Sequence, residues 1–161
     1  MRAVPVIVFM MVTASNVFYT VNSAGLLEIG SFENKTFYRE AEGFSHTYME
    51  FVEFCHSHDL QPASISNHDE QSTVQHHFNE TQFYRHLWLG IWDIGSEGQW
   101  HWVGQGQGLS SPVQADYSNW DPNHQGGGRE ENCAIIRNSD FLWVDVPCSF
   151  AAVPLCQSDY A

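Results

Sequence analysis

Apolar residues recur at helical spacing between Thr47 and His58. Tyr48, Phe51, Val52 and Cys55 fall at i, i+3, i+4 and i+7, with Phe54 beside them. This predicts an amphipathic helix with Cys55 turned inward. Ser45 and Thr47 are both candidate caps. Asn67 followed by Glu70 has the form of a capping box, opening a second helix over about 68–78 that buries Val74, His77 or Phe78. Elsewhere the pattern turns to short β-rich runs: Phe37–Glu42, Leu87–Asp93, Gln99–Val103, Cys133–Arg137, Leu142–Pro147 and Ala152–Gln157. Gly95, Ser96 and Gly98 make the turn between the second and third of these. Residues 24–36 show no periodicity and read as a short leader, and 158–161 as a tail. Helices first and strands after predict an α+β domain over 37–157.

One stretch fits neither period. Gly104–Asn132 is rich in glycine and carries Pro112 and Pro122. A loop this long inside a compact domain is usually functional or disordered. Tyr117 and Trp120 argue for order, because large rings pin a loop to a core.

The first residues change the compartment. Arg2 is the only charge before Glu28, Val4–Val12 is almost purely apolar, and Val21 and Ser23 suit the −3 and −1 positions of a cleavage site. Residues 1–23 therefore read as a secretory signal, with a cut after Ser15 as the alternative. The apolar run is shorter than the ~20 residues a membrane span needs, so the expected mature protein is secreted, extracellular and not membrane-inserted. In an oxidising compartment the four cysteines, Cys55, Cys133, Cys148 and Cys156, predict two disulfides, with three pairings open. Asn34-Lys35-Thr36 and Asn79-Glu80-Thr81 are candidate N-glycan sites at Asn34 and Asn79.

Charge narrows the partners. Six basic against 19 acidic side chains give a net charge of −13 across 161 residues. That excludes a nucleic-acid binder, which needs clustered Lys and Arg, and opposes docking to an acidic membrane. It is compatible with a hard cation such as calcium, which takes oxygen ligands.

Taken in order, several motifs make a family resemblance: Trp88-Leu89-Gly90-Ile91, Gly98-Gln99-Trp100-His101-Trp102, Asn119-Trp120, Glu130-Glu131-Asn132-Cys133, Trp143-Val144-Asp145-Val146-Pro147-Cys148 and Pro154-Leu155-Cys156. Over about residues 37–157 the chain resembles the C-type lectin-like domain, in a short four-cysteine form. The Asp93–Gly98 turn is most similar to secreted arthropod members. The resemblance implies two helices flanking short antiparallel sheets with a long ligand-binding loop. It also implies the pairing Cys55–Cys156 and Cys133–Cys148. In the chain-entropy model these contribute roughly 4–5 and roughly 3 kcal/mol.

The resemblance further implies calcium and carbohydrate binding through loop and strand oxygens. Glu131 matches the family's late-loop glutamate, and Asp145 the aspartate of its Trp-Asn-Asp motif. Val144 replaces that motif's asparagine and supplies no oxygen. Asp121-Pro122-Asn123 resembles the mannose-type Glu-Pro-Asn motif, several residues early. Counting back from Cys133 instead places Asn123-His124-Gln125 there, and Asp121-Pro122-Asn123 also reads as a generic turn. The candidate calcium and sugar ligands are thus Asp121, Asn123, Glu131 and Asp145.

Other chemistry is weaker. The nine histidines show no ligand spacing and read mostly as surface residues. Gly126-Gly127-Gly128 lacks the Gly-Lys-Ser/Thr of a phosphate loop. No nucleophile motif is present, and acids this abundant pair by chance. Trp88, Trp92, Trp102 and Trp143 are expected in the core, with Trp100 or Trp120 free to face a ligand. The expected function is noncatalytic, secreted recognition of glycans or glycoproteins, calcium-dependent and mannose-type, on microbial or cell surfaces in innate immunity. The alternative is a calcium-independent module for a protein or other non-sugar ligand.

Overall fold

A computed structural model gives the architecture. It describes residues 8–11, 18–21, 25–103, 111–112, 117–124, 128 and 130–159. In chain order the elements are β1 (Val8–Met11), β2 (Phe18–Val21), β3 (Leu26–Phe32), β4 (Lys35–Glu40), α1 (Tyr48–Ser57), β5 (Gln61–Pro62), α2 (His68–Thr81), β6 (Leu87–Trp92), β7 (His101–Trp102), β8 (Ser111–Pro112), β9 (Cys133–Ile136), β10 (Trp143–Val146) and β11 (Leu155–Asp159). One sheet runs β1-β2-β3-β4-β11-β5 and the other β10-β9-β6-β7-β8. The α+β expectation, with two helices and two antiparallel sheets, holds.

Both helices start where their sequence demands. The Glu50 carboxylate accepts from the Thr47 backbone N–H at 2.8 Å and its hydroxyl at 2.7 Å. Asn67 Oδ1 accepts from Glu70 N at 2.9 Å, while Glu70 Oε2 reaches past the cap to Ser66 N at 2.7 Å. Each satisfies helix-end donors that would otherwise be orphaned.

The five-stranded sheet divides the interior. Leu87, Leu89, Ile91, Ala134, Ile136 and Trp143 point to the α2 side, joined by Phe37, Val74, Phe78, Trp100 and Trp102. Trp88, Cys133, Ile135, Val144 and Val146 point to the α1 side, against Tyr48, Phe51 and Cys55. This is the period-2 alternation of a sheet buried on both faces. Gly90 is where β5 crosses β6. A Cβ there would lie 2.7 Å from Pro62 Cβ and 2.9 Å from its carbonyl carbon, and Gly90 N donates to Ala63 O at 2.8 Å. Only glycine admits that approach.

The disulfides are Cys55–Cys156 and Cys133–Cys148. The first ties α1 to β11 across 101 residues of sequence, and the second joins β9 to the end of the β10 strand region.

Three expectations need correction. The stretch 24–36, read as an aperiodic leader, holds β3, which pairs with β4 through the two-residue turn Glu33-Asn34. A bulge between Glu28 and Gly30 breaks its alternation. Leu26 and Leu27 enter opposite clusters, so no period-2 signal survives. His77 is fully buried, as the second-helix face allowed and against the surface reading of the histidines as a group: its Nε2 accepts from Arg39 Nε at 2.9 Å. Trp100 is buried at 6% exposure and packs on Trp120, ring centroids 4.6 Å apart, so it faces no ligand. Asn34 and Asn79 are both exposed, the first at the β3–β4 turn and the second on α2. Both candidate cleavage positions, Ser15 and Ser23, lie outside the described residues, as do 104–110, 113–116, 125–127 and 129 of the long loop.

Candidate functional site

The described part of the long loop is held to the sheet by Trp143. Its backbone N donates to Asn119 O at 2.8 Å and its carbonyl accepts from Asp121 N at 2.9 Å, so 119–121 runs along β10 like an added strand. The Trp143 indole N–H donates to Gln71 Oε1 at 2.9 Å, which links the strand to α2. The Phe141 carbonyl accepts from both Asn119 Nδ2 (2.9 Å) and Gln71 Nε2 (3.2 Å). Phe141 itself adopts a left-handed φ of 64° and packs on Phe78. Trp120 and Tyr117 lie edge-on to Trp143, so the rings expected to pin the loop do so.

This platform presents a turn. Asp121 Oδ1 accepts from Asn123 N at 2.9 Å and Asn123 Nδ2 at 3.4 Å, and Asp121 O accepts from His124 N at 3.0 Å. The proline between them presets the geometry. Asp121 Oδ2 accepts from Arg137 Nη2 at 2.6 Å. The same guanidinium grips Asp140 through Nε, at 2.9 Å to Oδ1 and 3.1 Å to Oδ2. The Asn123 N–H, and then Arg137, hold the Asp121 carboxyl below its ordinary range, and Arg137 does the same to Asp140.

Asp145 lies on the same face of β10 as Trp143, 2% exposed. His124 Nδ1 stands 3.4 Å from its Oδ1, an ion pair whenever the imidazole is protonated. Val144, on the opposite face, is 7% exposed within the α1-side apolar cluster. Glu131 is half-buried at the end of a turn, its N–H donating to Gly128 O at 2.9 Å. The fold therefore links Asp121, Asn123, His124 and Asp145 through hydrogen bonds and an ion-pair contact, while among the described residues no hydrogen bond or ion pair joins Glu131 to them.

Calcium takes 6–8 oxygens, and the arrangement does not fit one. Both Asp121 oxygens are engaged, one by a guanidinium that repels a dication. Among the described residues no three His, Cys, Asp or Glu groups come together as a metal-holding cluster.

The model of the lectin C-type domain family matches residues 44–158. The chain belongs to the C-type lectin domain family. Among the relatives of this C-type lectin domain is CD209 antigen-like protein C of Mus musculus, 31% identical over 114 residues, covering 71% of this chain and 59% of that protein. Perlucin of Haliotis laevigata is 28% identical over 116 residues, 70% of each chain. This C-type lectin domain thus spans about three fifths of the length of the first relative. Solved structures with the same fold include the C-type carbohydrate-recognition domain of cow CD23, in the presence of a GlcNAc2Man3 oligosaccharide. That match has a TM-score of 0.65 and 23% identity, over 81% of this chain and 92% of that one. A calcium-independent type II antifreeze protein superposes with a TM-score of 0.68 at 20% identity, over 86% and 94%.

Two groups in this site, Arg137 and His124, were not among the expected ligands. Arg137 reads only as the end of a strand, and His124 as a surface histidine. The one local signal was Asp140 three residues after Arg137, a spacing that brings the two together across a tight hairpin turn.

Proposed function

We propose that this chain is a secreted, noncatalytic recognition module for glycans. Its ligand face is the turn 121–124 together with the Asp145 edge of β10. The observation that carries this reading is the pair of contacts that sets Asn123 and His124 on Asp121, with His124 in turn against Asp145. It presents the exposed Asn123 amide and the partly exposed His124 imidazole, held from behind by the buried Asp121 and Asp145 carboxylates, a donor and acceptor mix suited to hydroxyl-rich ligands. The cow CD23 domain of the same fold, crystallised with a mannose-containing oligosaccharide, supports a glycan ligand. The Asp121-Pro122-Asn123 sequence favours a mannose-type one. Glu131 borders the same loop and is assigned to the rim of the face. Glycans on microbial or cell surfaces, as in innate immune recognition, are the natural class for a secreted module of this kind. Removal of residues 1–23 would take β1 and β2 with it, leaving β3-β4-β11-β5 as the sheet. Among the described residues no helix is long and apolar enough to cross a membrane.

The test is retention of the secreted protein on mannose and galactose resins, with calcium and with EDTA, and elution by free sugar. Sugar-competed retention is the expected result. Passage through both resins, with no signal on a broad glycan array, would sink the glycan reading. It would favour the second reading, a module for a protein or other non-sugar ligand. Two observations speak for that reading: the Arg137 grip on Asp121 and the burial of Val144. The calcium-independent antifreeze protein shows that the fold also serves without calcium.

A further inference from the structure

We infer that the Arg137 guanidinium takes the place of a metal cation at the base of the ligand loop, so that the loop is closed by the protein's own charge and needs no calcium. The inference concerns how the face is held, whatever ligand it takes.

The loop meets the sheet at a concentration of negative charge. Asp121 comes from the loop and Asp140 from the β9–β10 hairpin, and both carboxylates converge on one guanidinium. Without a cation these two acids would oppose each other across the seam that joins loop to sheet. Arg137 answers with a charge that is never lost and a planar fork of donors. Its side chain is 25% exposed, and the Asp121 side chain 12%, so the pair is partly shielded from water.

The guanidinium is also well placed by the backbone. Arg137 N donates to Leu142 O at 2.9 Å, and Arg137 O accepts from Phe141 N at 2.9 Å. Those bonds close the hairpin and aim the side chain across β10 at the loop. On the far side, the Asp121 N–H on Trp143 O fixes the partner. What the grip then positions is the turn beyond it: Asn123, bonded to the other Asp121 oxygen, and His124, set against Asp145. Arg137 is thus a positioning residue for the whole face. A cation bound at Asp121 would have to displace it, because the Asp121 oxygens are already engaged by Arg137 and by Asn123.

The test compares the full-length secreted protein with Arg137→Met and Arg137→Lys. Melting temperature is read in EDTA, in millimolar calcium and in millimolar magnesium, with Trp-sensitised terbium emission as the direct metal probe. Wild type is expected to melt identically in calcium and EDTA and to give no terbium emission that calcium chases. Arg137→Met is expected to melt about 3–8 °C lower in EDTA and to recover part of that loss in calcium but not magnesium, because the freed carboxylates now accept a cation. Arg137→Lys keeps a charge without the fork; it is expected to fall between the two and stay unresponsive to calcium. A saturable calcium effect on wild type overturns the inference. So does an Arg137→Met protein that melts like wild type in EDTA or gains nothing from calcium. Should Arg137→Met not be secreted, the wild-type metal response and the Arg137→Lys melting temperature still decide. Neither readout depends on sugar, so a failed resin experiment and a failed cation inference are distinguishable.

Discussion

The two faces of the five-stranded sheet are built differently. On the α1 side the contacts are almost wholly apolar: Tyr48, Phe51, Trp88, Ile135, Val144 and Val146 pack around a disulfide. On the α2 and loop side a comparable apolar cluster is threaded with buried polar groups, among them Arg39, Glu70, Gln71, His77, Asp121 and Asp145. The first face is specified by volume and by a covalent bond, which tolerate a change of pH. The second is specified by individual hydrogen bonds and charges, each of which fails if its partner is altered. The loop that carries the candidate ligand face is attached to the second. Its geometry can therefore be retuned by a few side chains while the first face keeps the domain folded.

The largest test of that contrast is covalent. Replacing Cys55 and Cys156 together by serine should cost about 4–5 kcal/mol, read from urea unfolding. Losing the Cys133–Cys148 bridge should cost roughly 3. Equal losses would mean that closure of the longer chain segment is not what the first bridge supplies.

Next comes Val144→Asn, which puts an amide into the apolar face. It should destabilise by about 1–3 kcal/mol and confer no calcium response. A variant of undiminished stability that binds calcium would place position 144 on the loop side and break the comparison.

The smallest effect is acid sensitivity of the polar face. Burial, with the Arg39 charge adding to it, pushes the His77 imidazole from 6.5 down to about 3. The unfolded chain takes up a proton near the higher value and the folded chain does not. Stability therefore falls as pH drops through that window, by up to about 1.4 kcal/mol per pH unit. Asp121 and Asp140 are shifted in the same direction, but their loss comes at lower pH. Their carboxyls lie below 3.8, so their contribution is complete above that value and is lost only in stronger acid. Between about pH 7 and about pH 5 the slope should come from His77 together with His86, whose imidazole is also held below its ordinary value by burial and then by the Arg137 and Arg85 charges, and it should shrink in His77→Gln. A slope unchanged in that variant would move the acid-sensitive group elsewhere.

Much of the fold is legible in the chain because it rests on local periodicity. The helix at Thr47–His58, the cap at Asn67 and the strands around Trp88 and Trp143 each follow from spacing within a dozen residues. β3 is not legible, since its bulge and its burial on both faces erase the alternation. The disulfide pairing was implied by the resemblance, because four cysteines alone leave three pairings open. The candidate ligand residues Asp121, Asn123, Glu131 and Asp145 could be nominated one by one, but not their relations. That Asp121 meets Arg137 and that His124 meets Asp145 depend on where the loop lies against the sheet, whereas Val144 turning away from Asp145 is the alternation of a single strand.

By itself, then, the sequence determined the elements, the apolar faces they bury and the family they belong to, because those are set by short-range spacing and by motifs in order. Only the tertiary structure decided what the acids near the loop do. Their partners are 16 residues away for Asp121 and Arg137 and 21 for His124 and Asp145, and a charge acts through distance in space rather than along the chain.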